Sequence, residues 1–83
     1  MKVRIDGMIY KGSGTAIMDD LRQQAFAPEK YPDTDSYIRQ MRENFIRATD
    51  MDCPLAAGSV EERARAMFSF LAGVGALEIL DNE

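Results

Sequence analysis

The most constraining feature of this chain is an Asp-Gly pair between two short β-prone segments near its start. Asp6-Gly7 separates Val3-Arg4-Ile5 from Met8-Ile9-Tyr10. A two-residue type I′ turn needs a positive φ at both central residues, and Asp-Gly is one of the pairs that accept it best. The segment therefore predicts a β-hairpin, and the length of the turn fixes the register of the two strands.

This register decides which side chains share a face of the hairpin. Cross-strand partners point to the same side of a sheet, so Ile5 and Met8 share a face with Val3 and Tyr10. We expect these four residues to form the apolar face that packs on the rest of the protein. The solvent-facing side would then carry Lys2, Arg4, Ile9 and Lys11.

Two segments after the hairpin have the residue spacing of amphipathic helices. The first begins after an N-cap at Thr15, carries apolar residues every four positions and runs to about Phe26. The second covers about 35–48, and either Asp33 or Thr34 can cap it. The first predicted helix presents a narrow apolar stripe and the second an apolar face, and each indicates one side packed on a core.

The C-terminal third predicts a helix followed by a strand. Ser59-Val60-Glu61-Glu62 has the capping-box pattern, in which a hydroxyl and a carboxylate satisfy each other's backbone donors. The helix covers about 60–72, and Gly73 is expected to follow its end. Residues 77–80 are short and β-prone, with Leu77 and Ile79 facing the core.

These elements predict one small α+β domain spanning residues 1–83. A small antiparallel sheet, made of the N-terminal hairpin and the C-terminal strand, packs on three helices in the order β-β-α-α-α-β. The length of 83 residues fits a single domain with a modest core. Such a core leaves room for stabilisation by a bound partner or by self-association.

Composition excludes several classes of protein. Cys53 is the only cysteine, so no intramolecular disulfide can form, and the absence of histidine removes the commonest general base and zinc ligand. The net charge of −4 argues against sequence-independent binding of nucleic acid. The N-terminus does not resemble a signal peptide and no segment is long enough to span a bilayer, so we expect a cytoplasmic protein without a membrane partner.

Three segments carry weak signs of chemistry. Residues 11–15 (Lys-Gly-Ser-Gly-Thr) join a strand to a helix and could cradle an anion, but they lack the spacing of a P-loop. Cys53 has acidic neighbours in sequence, which disfavour a reactive thiolate. Asp50-Met51-Asp52 lacks the later ligands of an EF-hand. We therefore expect no cofactor, no metal site and no catalytic residue.

Apolar residues at polar positions are the sharper clue. Ile46 falls on the predicted solvent face of the second helix, and Ile9 and Leu80 fall on the open face of the sheet. If the C-terminal strand lies beside the hairpin, Ile9 and Leu80 would form an apolar centre. The charged rim around it would consist of Arg4, Lys11 and Glu78. An apolar centre with a charged rim is typical of protein-binding surfaces. An alternative is that the edge of the sheet itself pairs with a strand of the partner.

We therefore expect a non-enzymatic protein–protein interaction or assembly module, either a homodimer or a subunit of a larger assembly. Its binding residues would be Ile9, Leu80, Arg4, Lys11, Glu78 and Ile46. The alternative is a regulatory nucleic-acid-binding protein that uses the second helix. Its contacts would come from Arg39, Arg42 and Arg47, and its affinity would fall steeply with salt.

Overall fold

The computed structural model describes residues 1–25, 27–55 and 58–82, and its elements follow the predicted order. Two strands, β1 and β2, are followed by helices α1, α2 and α3 and by a third strand, β3. A short 3₁₀ turn lies between α1 and α2. The bounds are β1 Lys2–Ile5, β2 Met8–Lys11, α1 Gly14–Gln24, the 3₁₀ turn Pro28–Lys30, α2 Thr34–Thr49, α3 Val60–Gly73 and β3 Glu78–Asp81. The α+β prediction is confirmed.

The hairpin has the predicted turn and register. Asp6 and Gly7 have φ values of 51° and 82°, as a type I′ turn requires, and Ile5 lies opposite Met8. Val3 is fully buried at the centre of the sheet. Met8, however, is 60% exposed, so its predicted place in the core is wrong. It lies beside the turn on an outer strand, where the described helices leave it largely uncovered.

The sheet is antiparallel, and β1 is its central strand. The strand order is β2-β1-β3, so the C-terminal strand joins the hairpin on the β1 side. As predicted, Leu77 is buried and Ile79 packs against the core. The β1–β3 register shifts between Lys2 and Val3, which leaves Leu80 as an extra residue in a β-bulge.

Side-chain caps begin the three helices. Ser13, and not the predicted Thr15, caps α1, because its Oγ accepts a hydrogen bond from Ala16 N–H at 3.0 Å. Asp33 caps α2, as one of the two predictions had it. Ser59 and Glu62 form the predicted capping box at the start of α3. The hydroxyl of Thr15 does not cap α1 but donates to a different partner, described below.

The helix ends differ slightly from the prediction. α1 ends at Gln24, and its predicted end at Phe26 lies outside the described residues. Gly73 is the last residue of α3 and does not follow its end as predicted. Between α3 and β3, Gly75 has a positive φ of 77° and turns the chain towards β3.

The core lies between the sheet and the three helices. Its largest fully buried side chains are Phe68, Ile17, Met18, Ile38, Met67, Val3 and Cys53. Ile46, which was predicted to be exposed, is partly buried and packs against this core. Arg42 lies one turn earlier on the same side of α2 and contacts the loop after the helix, so this side of α2 faces protein.

Candidate functional site

The turn between β2 and α1 does bind an anion, and that anion is a carboxylate of the protein. The backbone N–H of Gly14 donates to Glu61 Oε2 at 2.8 Å, and that of Thr15 donates to Oε1 at 2.8 Å. The Thr15 hydroxyl donates to the same Oε1 at 2.8 Å. Glu61 lies in the first turn of α3, so its side chain connects the N-termini of two helices.

This arrangement leaves little room for a second anion. Arg65 donates to Glu61 Oε2 at 2.7 Å, from one turn further along α3. A Cβ added at Gly14 would lie 3.0 Å from Glu61 Oε2 and 3.1 Å from Arg65 Cγ. The donors that a phosphate would need at residues 11–15 are thus engaged by Glu61, and the weak phosphate-binding hypothesis is not supported.

The bound carboxylate predicts a specific dependence of stability on pH. Partial burial alone would raise the pKa of Glu61, but hydrogen bonds from Thr15, Arg65 and Gly14 outweigh it and lower the pKa from 4.5 to about 2. Because the folded-state pKa is lowered, the stabilisation is complete above pH 4.5 and is lost as the pH falls towards 2.

We expect urea unfolding to show this loss as a falling free energy of unfolding between these two pH values. Asp19 and Asp33 also have lowered pKa values, through hydrogen bonds from Arg22 and from Ser36, so they contribute to the total slope. The Glu61→Gln variant isolates the contribution of Glu61. Its free energy of unfolding should fall less steeply with decreasing pH than that of the unaltered protein. Equal slopes would contradict the assignment.

Cys53 has the environment of a core residue. It is fully buried, and its Sγ lies 4.0 Å from Met67 Sδ. Burial raises the pKa of the Cys53 thiol, and the nearby Arg42 only partly opposes this effect. Reactive cysteines have lowered pKa values and are accessible, so the surroundings of Cys53 favour a packing role.

The three arginines of the nucleic-acid alternative are not equivalent. Arg42 Nε donates to the backbone carbonyl of Cys53 at 2.6 Å and thereby holds the loop after α2. Arg39 forms an exposed ion pair with Asp35 at 2.9 Å, and Arg47 is exposed in the last turn of α2. With Arg42 committed to the loop, the structure offers little specific support for this alternative, which stays a prediction.

The open face of the sheet brings only some of the predicted binding residues together. Arg4 lies between Ile9 on one side and Glu78 on the other, and its guanidinium contacts Glu78 at 3.1 Å. Ile9 and Leu80 are exposed but occupy opposite outer strands, with β1 between them. The single apolar centre expected from the sequence is therefore divided by Arg4. Lys11 lies at the far end of β2, opposite Lys2.

The outer side of β2 is an open edge of the sheet, and the sequence did not identify which strand would form it. Within the described residues, no strand lies on the outer side of β2. Gly12 N–H donates to the Met1 carbonyl at 3.0 Å, and hydrogen-bonded pairs alternate along an antiparallel ladder. The backbone groups of Tyr10 and Met8 therefore point to β1, whereas those of Ile9 and Lys11 point outwards.

A small apolar cleft lies on the helix side of the sheet. Its volume is about 240 Å³, which is below the range of about 300–1,000 Å³ typical of small-molecule sites. Met8 lies opposite Ile5, one of the residues of its wall. The residues that line the cleft are Ile5, Leu21, Tyr37, Met41, Leu71, Ala76 and Leu77.

Comparison with protein-family models, curated proteins and solved structures finds no match to this chain. Among residues 1–25, 27–55 and 58–82, none of the helices has the length and apolar character needed to cross a bilayer.

Proposed function

We propose that this protein is a non-enzymatic protein–protein interaction module that binds its partner along the outer edge of β2. The observation that carries this proposal is the exposure of two consecutive apolar residues on that strand. Met8 is 60% exposed and Ile9 is 51% exposed, the two highest values among the large apolar side chains of the described residues. Single exposed apolar residues are common, but a pair on an open strand is more specific.

The alternation of side chains explains why the edge, and not one face, is the proposed site. Consecutive residues of a strand point to opposite faces of the sheet, so Met8 lies on the helix side and Ile9 on the open side. A partner docked on one face would cover only one of them. A strand added beside β2 would contact both and would also pair with the outward backbone groups of Ile9 and Lys11.

The other outer strand lacks this combination. β3 contains the bulge at Leu80, and bulges disrupt the regular pairing that an added strand needs. Charged side chains also discourage edge pairing, and β3 carries two exposed ones, Glu78 and Asp81, whereas β2 carries one, Lys11, at its end. β2 has neither a proline nor a bulge, and its register with β1 is regular over all four residues.

Site-specific photo-crosslinking tests the proposal. A photoreactive amino acid at position 9 is expected to capture a defined protein, whereas the same group at position 80 should capture it much less. Position 80 is a matched control, because Leu80 is also an exposed apolar residue on an outer strand. Equal capture from the two positions, or none from position 9, would contradict the proposal.

Affinity measurements on purified proteins complete this test. Ile9→Lys is expected to weaken binding of the captured protein by at least about tenfold, because it removes an apolar anchor from the centre of the contact. Leu80→Lys should leave the affinity unchanged. Circular dichroism should show both variants folded, since both side chains are exposed. An unaltered affinity of the Ile9→Lys variant for the captured protein would contradict the proposal.

A further inference from the structure

We infer that the partner of the β2 edge is a second copy of this chain, paired antiparallel about a two-fold axis at Ile9. This inference rests on the function proposed above. The result would be a continuous six-stranded sheet in which β2 of one copy lies beside β2 of the other. A two-fold arrangement uses the same surface on both copies and closes after two, so it needs only one regular outer strand from each copy, which β2 supplies.

The alternation of inward and outward backbone groups along β2 limits the registers in which two copies can pair. Only residues whose backbone groups point outwards can form hydrogen-bonded pairs across the new contact, and on β2 these are Ile9 and Lys11. Three two-fold registers remain. They place Ile9 opposite Ile9 of the partner copy, Ile9 opposite Lys11 of the partner copy, or Lys11 opposite Lys11 of the partner copy.

Charge selects the first of these registers. With Ile9 opposite its own copy, the two Lys11 residues are four residues apart along the strands, or about 14 Å. This separation exceeds the Debye length of about 10 Å at 0.1 M salt. The other registers bring the lysines to about 7 Å or directly opposite each other. The first register also places Lys11 beside the turn of the partner copy, where Asp6 supplies the opposite charge.

The same register covers the exposed apolar side chains. The two Ile9 side chains meet on the open face of the sheet, and each Met8 lies beside Tyr10 of the partner copy on the helix side. The contact between two four-residue strands is well below the roughly 1,200 Å² of a standard interface. We therefore expect a weak dimer, with a dissociation constant in the micromolar range or above.

Sedimentation equilibrium over a wide range of protein concentration tests the inference. The unaltered chain should change from monomer to dimer, with no larger species, and Ile9→Lys should raise the dissociation constant by at least about tenfold because it places like charges opposite each other. Leu80→Lys is the matched control and should dimerise like the unaltered chain. Lys11→Glu should weaken the dimer, and added salt should relieve part of that effect.

Hydrogen exchange supplies a second readout. The amide of Ile9 should become protected as the concentration rises, whereas the amide of Tyr10, already paired with β1, should not change. Three results would overturn the inference: a monomer at every concentration, equal loss of association in Ile9→Lys and Leu80→Lys, or species larger than a dimer. A monomeric chain whose position 9 still crosslinks to a different protein would overturn self-pairing and leave the proposed interaction function standing.

Discussion

Replacement of Glu61 by alanine is expected to lower the free energy of unfolding by about 2–3 kcal/mol. The carboxylate accepts hydrogen bonds from two backbone N–H groups and from the Thr15 hydroxyl, and it pairs with Arg65. Hydrogen bonds to a charged group each contribute about 1.5–3 kcal/mol, but the Glu61 side chain is about one-third exposed, so solvent screening reduces the total. Gly14 is buried, so the loss of Glu61 leaves its N–H poorly solvated.

Urea unfolding at neutral pH, followed by circular dichroism, measures this effect. Glu61→Gln retains one acceptor oxygen and should lose an intermediate amount of free energy. Glu43→Ala removes an exposed carboxylate from α2 and should change the free energy by less than about 0.5 kcal/mol. If Glu61→Ala were as mild as Glu43→Ala, the carboxylate would not hold the two helices together.

The contact of Glu61 shows how a feature that resembles a ligand site can serve the fold. A strand followed by a glycine-containing turn and a helix presents free N–H groups and the positive end of a helix dipole. Many proteins fill such a position with a phosphate, but here a side chain from α3 occupies it. The turn therefore anchors α1 to α3, and the open edge of the sheet is the remaining candidate for a binding site.

The parts of the fold that the sequence predicted are those that depend on local chemistry. The turn at Asp6-Gly7 demands two residues with positive φ, which few pairs other than Asp-Gly accept. This pair therefore predicted both the turn and the register of the two strands. The capping box of α3 needs only residues three positions apart. The strand begins one residue later than predicted, at Glu78, but the alternation correctly placed Leu77, just before it, and Ile79, within it, on the core side.

The errors lie where distant segments meet. Thr15 resembles an N-cap, but its hydroxyl binds Glu61, a residue 46 positions away, and Ser13 takes the capping role. Ile46 falls on a polar arc of its own helix, yet that arc faces the loop held by Arg42. No spacing within a single helix reveals what another segment will cover.

The order of the strands also depends on contacts between distant segments, so the sequence could not predict it. This order determines which exposed residues lie together in the candidate site. Placing the C-terminal strand beside the hairpin leaves two choices, next to β1 or next to β2, and only the second would bring Ile9 and Leu80 together. The observed order places β1 between them and leaves the edge of β2 open. Met8 completes the proposed site, and its exposure could not be read from a pattern that assigned its whole face to the core.

Truncation of Phe68 to alanine is expected to lower the free energy of unfolding by about 3–5 kcal/mol. Phe68 is the largest fully buried side chain of the described residues, and it lies in α3, which contacts α1, α2 and β3. A domain of this size has a total stability of about 4–12 kcal/mol. The variant should therefore be largely or wholly unfolded at moderately raised temperature, as thermal unfolding followed by circular dichroism would show.

Phe70→Ala is the matched control, because it removes the same side chain from the same helix at a less buried position. Phe70 is only partly buried and contacts Phe45 with ring centroids 5.9 Å apart, so its truncation should cost about 1–2 kcal/mol. The difference between the two variants measures how far the core under the sheet, and not the contact between α2 and α3, stabilises the fold. Equal losses would mean that the stabilising core lies nearer the Phe45–Phe70 pair. In that case the core that supports the sheet, and β2 with it, would depend less on Phe68 than the burial of the Phe68 side chain indicates.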